Sequence, residues 1–435
     1  MVARKKIGLH RYVLLFVYSC LWEIFMLGMK MLARISTSVH RHIKHRKVSA
    51  DFLKQIRNNR KKHEPAVIFY CSSAGEYEQA LPLIDLMAAN FYIHIIFFST
   101  TGYEYARAVG EKHQFSLAPP DTLWGWRPLF HAIQPTHSII VRHEFWPCFI
   151  LLAAKHSKLF AVDISVKNEL GSLSRWVRLS LFKYFHTLFF VSDTDYELLY
   201  GTVNSKGRVT NKITSKVVGN TKFDRAIQKK THAVKKVSQY NHVLNKHTKA
   251  KRLIIGSAYI EDVKIVLNAY LVLDRKTRAD WIILVVPHDI KTNNISQIKN
   301  ACDQRGISYG LFDDFTGNPE VIIVNRLGML ADLYGCCDAA IIGGGFKQGV
   351  HNIVEPAVYL IPMACGKITQ TDREAYSFDK YGVLKTIDNT EELRDWWEQC
   401  LIPNEVTCNK SRQLLDQHVG ASNRILAQIK QEDEK

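Results

Sequence analysis

The sequence predicts an α/β protein: two Rossmann-like domains facing each other across a cleft, with an apolar helix ahead of them. Three observations carry this expectation. From residue 64 onward, short apolar runs alternate with segments of helical periodicity, the pattern of parallel strands joined by covering helices. At 435 residues the chain exceeds what one ordinary core holds, so two domains are expected. The run Ala339 to Ile342 breaks at Gly343-Gly344-Gly345-Phe346 and is followed by His351-Asn352-Ile353-Val354-Glu355-Pro356-Ala357, which reads as a strand, a glycine loop and a helix start.

The elements follow in chain order. Ala66 to Cys71 reads as a strand, and Tyr77 to Asn90 as a helix with Leu81, Leu83, Ile84 and Met87 at helical spacing. Ile93 to Ser99 is the next strand, and Tyr103 to Val109 opens another helix. Strands are expected at Ser138 to Val141, Leu159 to Asp163, Leu188 to Val191 and Lys216 to Val218. The polar, lysine-rich segment from Gln228 to Lys251 interrupts the alternation and reads as the interdomain connection. Strands then resume at Leu253 to Ile255, Trp281 to Val286, Val321 to Val324 and Ala339 to Ile342, and Glu391 to Lys435 reads as helical. The expected division is an anchor and basic segment over 1–63, a first domain over 64–227, a connection over 228–251, and a second domain with C-terminal helices over 252–435. In parallel sheets of this kind ligands bind at the carboxyl ends of the strands.

Composition narrows the partners. With 58 basic against 41 acidic residues the formal charge is +17, which calls for an anionic partner. No nucleic-acid motif accompanies that charge, neither an RNP-like strand nor zinc-knuckle spacing, so nucleic acid is set aside and anionic lipid and phosphorylated sugars remain. The nine cysteines, adjacent Cys336 and Cys337 among them, follow no regular spacing, as in a cytoplasmic protein with reduced thiols.

The apolar run from Tyr12 to Met29 is preceded by Arg4, Lys5, Lys6 and Arg11 and followed by Lys30, Arg34, Arg41, Lys44, Arg46 and Lys47. No small-residue cleavage site follows it, unlike a signal peptide. Glu23 near its middle is costly in hydrocarbon, so the expectation is an uncleaved anchor lying in or dipping into the membrane, with the basic segment drawn to anionic head groups. An ordinary first helix packed on its domain is the competing reading, and basic residues on both flanks leave topology open.

Two loops draw attention for chemistry. Cys71-Ser72-Ser73-Ala74-Gly75-Glu76 leaves the first strand directly, placing Glu76 at a carboxyl end, where a carboxylate acts as a general base or, equally, as a first-turn helix cap. Arg142-His143-Glu144-Phe145-Trp146-Pro147 places a second acid, Glu144, after another strand of the same domain. In the second domain, the glycine loop and Glu355 suggest a nucleotide-sugar site, with helix-start N–H groups for phosphate and a carboxylate for ribose hydroxyls. A tight turn without a ligand is the plainer account of the glycines.

Taken together, Ser73-Ala74-Gly75-Glu76, Glu144-Phe145-Trp146-Pro147, Gly219-Asn220-Thr221-Lys222-Phe223-Asp224 and Gly345 through His351-Asn352-Ile353-Val354-Glu355-Pro356 resemble, in order and spacing, the 3-deoxy-D-manno-octulosonic acid (Kdo) transferases of lipopolysaccharide synthesis. The resemblance runs from the N-terminal anchor to about Tyr376. It implies a GT-B fold and an inverting transferase with no cofactor or nucleotide-bound metal. It also implies CMP-Kdo as donor and a lipid A precursor as acceptor, at the cytoplasmic face of the bacterial inner membrane. By position, Glu76 matches the family's catalytic base, and Glu144 and Lys222 match residues assigned to transition-state stabilisation. The family's CMP contacts fall on Pro287 and His288, on Gly328, Met329 and Leu330, and on Asn352, Ile353, Val354 and Glu355.

Three positions depart from the family pattern. Pro287-His288-Asp289-Ile290 stands where many members carry Pro-Arg-His-Pro, Asp163-Ile164-Ser165 stands for Asn-Ala-Arg, and Gly366-Lys367 stands for Gly-Pro. An arginine is lost twice, with Lys167 or Arg175 as candidates to compensate. The alternatives are a GT-B transferase using a CDP-alditol or UDP-sugar, a non-catalytic membrane scaffold, and a nucleotide-sugar epimerase. Preference for CMP over UMP or UDP separates the first. Joint presence of Glu76, Glu144, Lys222 and Glu355 argues against the second, and the basic apolar N-terminus against the third.

Overall fold

The computed structural model describes residues 9–36, 39, 46, 49–60, 64–109, 113–142, 144–166, 172–200, 214–245, 250–369, 372–400 and 405–434. Lys167 and the basic residues Arg4, Lys5, Lys6, Arg41, Lys44 and Lys47 lie outside them. The chain forms two units, one of Met1–Arg225 with His418–Lys435 and one of Ala226–Gln417.

In the first unit the helices are α1 (Leu9–Leu32), α2 (Ala50–Asn59), α3 (Ala74–Met87), α4 (Thr100–Val109), α5 (Leu123–Ile133), α6 (Pro147–His156), α7 (Ser172–Phe182) and α8 (Asp193–Tyr200). The strands are β1 (Ala66–Cys71), β2 (Tyr92–Phe97), β3 (Gln114–Leu117), β4 (His137–Val141), β5 (Lys158–Ile164), β6 (Thr187–Phe190) and β7 (Thr214–Val217). They make one parallel sheet in the order β3-β2-β1-β4-β5-β6-β7. β1, the central strand of the first half, is buried at every position and carries no alternation, as a strand covered on both faces should.

Helix α9 (Thr221–Asn245) follows, and the boundary between the units falls within it. The segment expected as a connection is therefore helical as far as Asn245, and its last residue, Lys251, belongs to β8. Its buried residues Ala233 and Leu244, with half-buried Val237 and Tyr240, make a narrow apolar stripe that the lysines between them obscure.

The second unit repeats the architecture. Its strands are β8 (Lys251–Ala258), β9 (Trp281–Pro287), β10 (Tyr309–Leu311), β11 (Val321–Ile323), β12 (Ala339–Ile342), β13 (Met363–Gly366) and β14 (Leu384–Ile387), parallel in the order β10-β11-β9-β8-β12-β13-β14. The helices are α10 (Ile260–Val272), α11 (Arg275–Ala279), α12 (Thr292–Asp303), α13 (Leu330–Leu333), α14 (Val354–Ala357), α15 (Arg373–Lys380), α16 (Thr390–Gln399) and α17 (Glu405–His418).

The last helix, α18 (Ala421–Glu434), belongs to the first unit, so the C-terminal segment does not all stay with the second sheet. It buries Ile425 and Ile429 beside α3. Asp433 on it accepts from His137 Nε2 at 3.0 Å and pairs with Lys158 Nζ at 2.9 Å. At its start, Asp224 of α9 accepts from the backbone N–H of Gly420 (2.6 Å) and Ser422 (2.7 Å).

α1 is the one described helix long and apolar enough to cross a membrane. It is also docked: Ser19 and Leu15 are buried against the first unit, the Tyr18 hydroxyl donates to Asp121 at 3.0 Å, and Trp124 Nε1 donates to Glu23 at 2.8 Å. The acid that interrupts the apolar run is thus explained by a partner on α5. The opposite face exposes Leu14, Val17, Leu21 and Ile24.

Candidate functional site

The carboxyl edge of the first sheet gathers polar side chains from the end of β5 and from the loops after β1, β4 and β7. After β1, Ser73 caps α3 and its hydroxyl accepts from the N–H of Glu76 at 3.3 Å. Glu76 Oε2 in turn accepts from the N–H of Ser72 at 2.5 Å, so the acid closes the helix start like the third member of a capping box. Glu76 thus closes the helix start, a role that does not exclude its reading as a base. Burial raises the Glu76 carboxyl above its ordinary value; the Ser72 bonds oppose this, Glu144 adds to it and Arg142 opposes it. Gly102 of α4 packs against this turn, where a Cβ would lie 2.8 Å from the backbone N of Ala74.

Glu144 arrives from the loop after β4. Its Oε2 accepts from Trp146 Nε1 at 2.6 Å, and Trp146 is fixed by stacking on Phe98 with ring centroids 5.3 Å apart. Pro147 then opens α6. The hydroxyl of buried Tyr70 has no hydrogen-bond partner, and burial, then Glu144, hold its proton on.

Near the end of β5 lies Asp163, wholly buried, at φ +55°. One oxygen accepts from the N–H of Thr221 at 2.9 Å and the other from the Thr221 hydroxyl. Burial pushes this acid up to about 6 despite those bonds. Asn220 Oδ1 accepts from Gln79 Nε2 and from the N–H of Lys222, each at 3.0 Å. These contacts tie the loop before α9, with Lys222 in its first turn, to β5 and α3. Glu144 adds to the rise of Glu76 on one side of the edge, and the loop that carries Lys222 joins the edge through Asn220 and Gln79. Arg175 is engaged, donating from Nε to Leu199 O at 2.8 Å.

Beside this edge lies a pocket of about 230 Å³ lined by Trp22 and Met26 of α1 and by Phe98, Pro119, Trp126 and Trp146 among others. Trp146 therefore serves two surfaces, one apolar and one holding Glu144.

The second unit's edge is built differently. Pro287 ends β9, Gly328 turns at φ +79°, and Leu330 opens the four-residue α13. A Cβ on Gly343 would lie 2.4 Å from Ser257 O, and one on Gly345 would lie 2.6 Å from Gly366 N. The loop glycines are thus required by backbone packed on backbone, which the sequence alone could not separate from room for a ligand. Asp262 accepts from the N–H of Tyr259 (2.8 Å) and of Gly344 (2.9 Å), and burial pushes it up to about 6. Next to the loop stand three rings. Tyr259 and His288 are 4.8 Å apart, His288 and His351 4.7 Å, and His351 Nε2 is buried without a partner.

Asn352 Oδ1 accepts from the N–H of Val354 at 3.2 Å, ahead of the single turn of α14. Glu355 pairs with Lys229 Nζ at 2.9 Å. Lys367, the added charge, pairs with Asp388 at 2.6 Å. The sequence places His288 among the nucleotide contacts, but its stacking with Tyr259 and His351, and the places of Asp262 and Arg142, emerge only from the loop geometry.

The glycosyltransferase from Rickettsia africae ESF-5 superposes with TM-score 0.53 at 13% identity over 86% of this chain and all of that one, a likeness of fold, and the fold is α/β GT-B. Residues 44–225 match the family model described as 3-deoxy-D-manno-octulosonic-acid transferase (kdotransferase). The 3-deoxy-D-manno-octulosonic acid transferase of Aquifex aeolicus is 27% identical over 331 residues, 75% of this chain and 84% of that protein. A bifunctional glycosyltransferase/methyltransferase of Fusobacterium nucleatum is 25% identical over 71% of this chain, which spans about half, 48%, of that protein. Residues 44–225 thus resemble the Kdo transferase family, and the similarity to curated Kdo transferases extends over most of the chain.

Proposed function

We propose that this protein is an inverting glycosyltransferase that moves Kdo from CMP-Kdo to a lipid A precursor, lipid IVA, at the cytoplasmic face of the bacterial inner membrane. The observation that carries this reading is the pair Glu76 and Glu144 at one sheet edge, with burial raising Glu76 toward the range in which a carboxylate works as a base. The match of residues 44–225 to the Kdo transferase family model supports the sugar, and the name of the Aquifex relative supports the reaction.

In this reading Glu76 takes the proton of the acceptor hydroxyl, whose oxygen forms the new bond to the anomeric carbon. The bond from that carbon to the phosphate oxygen breaks on the opposite face, its electron pair leaves with CMP, and the configuration inverts. Lys222 is a fixed cation for the charge that develops, and Glu144, held by Trp146, shapes the field around the reacting carbon. The nucleotide is assigned to Pro287, His288, Gly328, Met329, Leu330, Asn352, Ile353, Val354 and Glu355. The last would exchange its Lys229 partner for ribose hydroxyls.

A lipid acceptor is supported by α1. Its exposed stripe suits the bilayer interface while Tyr18 and Glu23 keep it docked, and the apolar pocket lies between it and Trp146. Incubating purified protein with radiolabelled Kdo, generated in place as CMP-Kdo, and lipid IVA should label the lipid. A folded protein that binds CMP and leaves the lipid unlabelled would move the assignment to another sugar or acceptor.

A further inference from the structure

The first sheet's edge carries an arginine that no motif singled out. Arg142 follows β4 directly, with its backbone in the left-handed region at φ +65° and its N–H donated to Val162 O at 2.9 Å. A long side chain rarely takes that conformation, and it persists where the surroundings over-determine it, commonly at binding sites. The side chain is half-buried, and its Nε is buried with no acceptor.

Other arginines of the same unit are committed. Arg46 donates to Ala118 O and Phe98 O, Arg60 to Glu64 O and Ile133 O, Arg225 to Glu78, and Arg424 to Val218 O. Arg142 differs although two carboxylates feel its charge. It lowers both Glu76 and Asp163, yet Glu76 is bonded to the N–H of Ser72 and Asp163 to Thr221. A planar guanidinium offers five donors in a fork that fits a carboxylate or phosphate, and a buried donor without an acceptor is costly.

We propose that Arg142 is an anion-binding residue that receives a negatively charged group of a substrate, the carboxylate of the transferred sugar acid, beside Glu76. This rests on the glycosyl-transfer reading given above. In a 2-ulosonic acid the carboxylate is attached to the anomeric carbon, so a cation next to the base sits where it fixes the reacting carbon for attack. It also supplies, from a different strand end, a cation of the type this sequence lacks at Ser165. An acceptor phosphate has the same charge and fits the same fork.

The test is steady-state kinetics of the full-length protein and the variants Arg142→Gln and Arg142→Lys, with each substrate varied in turn. The expected result is a rise of about 10- to 100-fold in the donor KM for Arg142→Gln, a smaller rise for Arg142→Lys, and unchanged acceptor KM, CMP affinity and melting temperature. A rise confined to the acceptor KM assigns the arginine to the acceptor phosphate instead of the sugar carboxylate. Unchanged KM values for both substrates, or a loss explained by a lowered melting temperature in both variants, overturn the proposal. If the parent protein transfers nothing, the glycosyl-transfer reading fails first, and calorimetric titration with inorganic phosphate decides the site. Binding by the parent and none by Arg142→Gln retains it, and equal behaviour removes it.

Discussion

The two sheets share a topology and differ at their carboxyl edges. On the first, acids and cations project from the loops: Glu76, Arg142, Glu144 and, at the start of α9, Lys222. On the second, the edge is mostly backbone, three glycines packed against neighbouring chain, with aromatic rings and one paired acid beside them. Each edge is also tied by one buried acid at about 6, Asp163 across to Thr221 and Asp262 across to Gly344. In the proposed function the same fold uses one edge for proton transfer and the other for holding a nucleotide, and the difference lies in the loops.

The comparison breaks most directly at Glu76. Replacing it with Gln should lower turnover by about 10²- to 10⁴-fold, while the melting temperature changes little, since the amide can still accept from Ser72. In the parent, turnover should fall as pH drops through the raised carboxyl value, because the protonated acid is no base. Stopped-time assays from pH 5 to 8 check both, and a fully active Gln variant removes the base.

At the second edge the largest effect is on stability. Gly343→Ala forces a Cβ to within 2.4 Å of Ser257 O and should cost roughly 1–3 kcal/mol, read from denaturant midpoints. An unaffected midpoint would show that the loop has slack and that its glycines serve a ligand.

Asp163 tests the buried tie. Its folded value of about 6 exceeds the ordinary value of about 3.9, so the native state holds the proton more tightly between them and stability falls as pH rises through that window. Asp163→Asn should be more stable than the parent above pH 6, by on the order of 2 kcal/mol, and converge with it near pH 4. Parallel melting curves across that range would contradict the assignment.

The smallest effect belongs to Trp146→Phe, which keeps the stack on Phe98 and removes the donor to Glu144. A loss of about 10-fold in turnover with unchanged CMP affinity is expected, and no loss would show that Glu144 needs no positioning.

Much of this organisation was legible in the sequence because parallel strands buried on both faces are continuous apolar runs. β12 was read at its observed bounds, and β1 likewise. β3, with Gln114 and Ser116 among its four residues, carried no such run, and neither did β14 with Lys385 and Thr386. α9 was taken for a connection because its lysines mask the stripe of Ala233, Val237 and Leu244. The acids were found by their place after strands. Arg142 was not, since its significance depends on a left-handed backbone and a missing partner, and neither is written in residue type.

The central claim is a division of labour, with chemistry at the first edge and nucleotide at the second. The measurement that tests it most directly is calorimetric titration of CMP into Glu76→Gln and Glu355→Gln, each paired with its turnover. The account predicts that Glu76→Gln binds CMP like the parent and turns over about 10²- to 10⁴-fold more slowly, while Glu355→Gln binds CMP about 10-fold more weakly. CMP affinity lost in Glu76→Gln and retained in Glu355→Gln would contradict it.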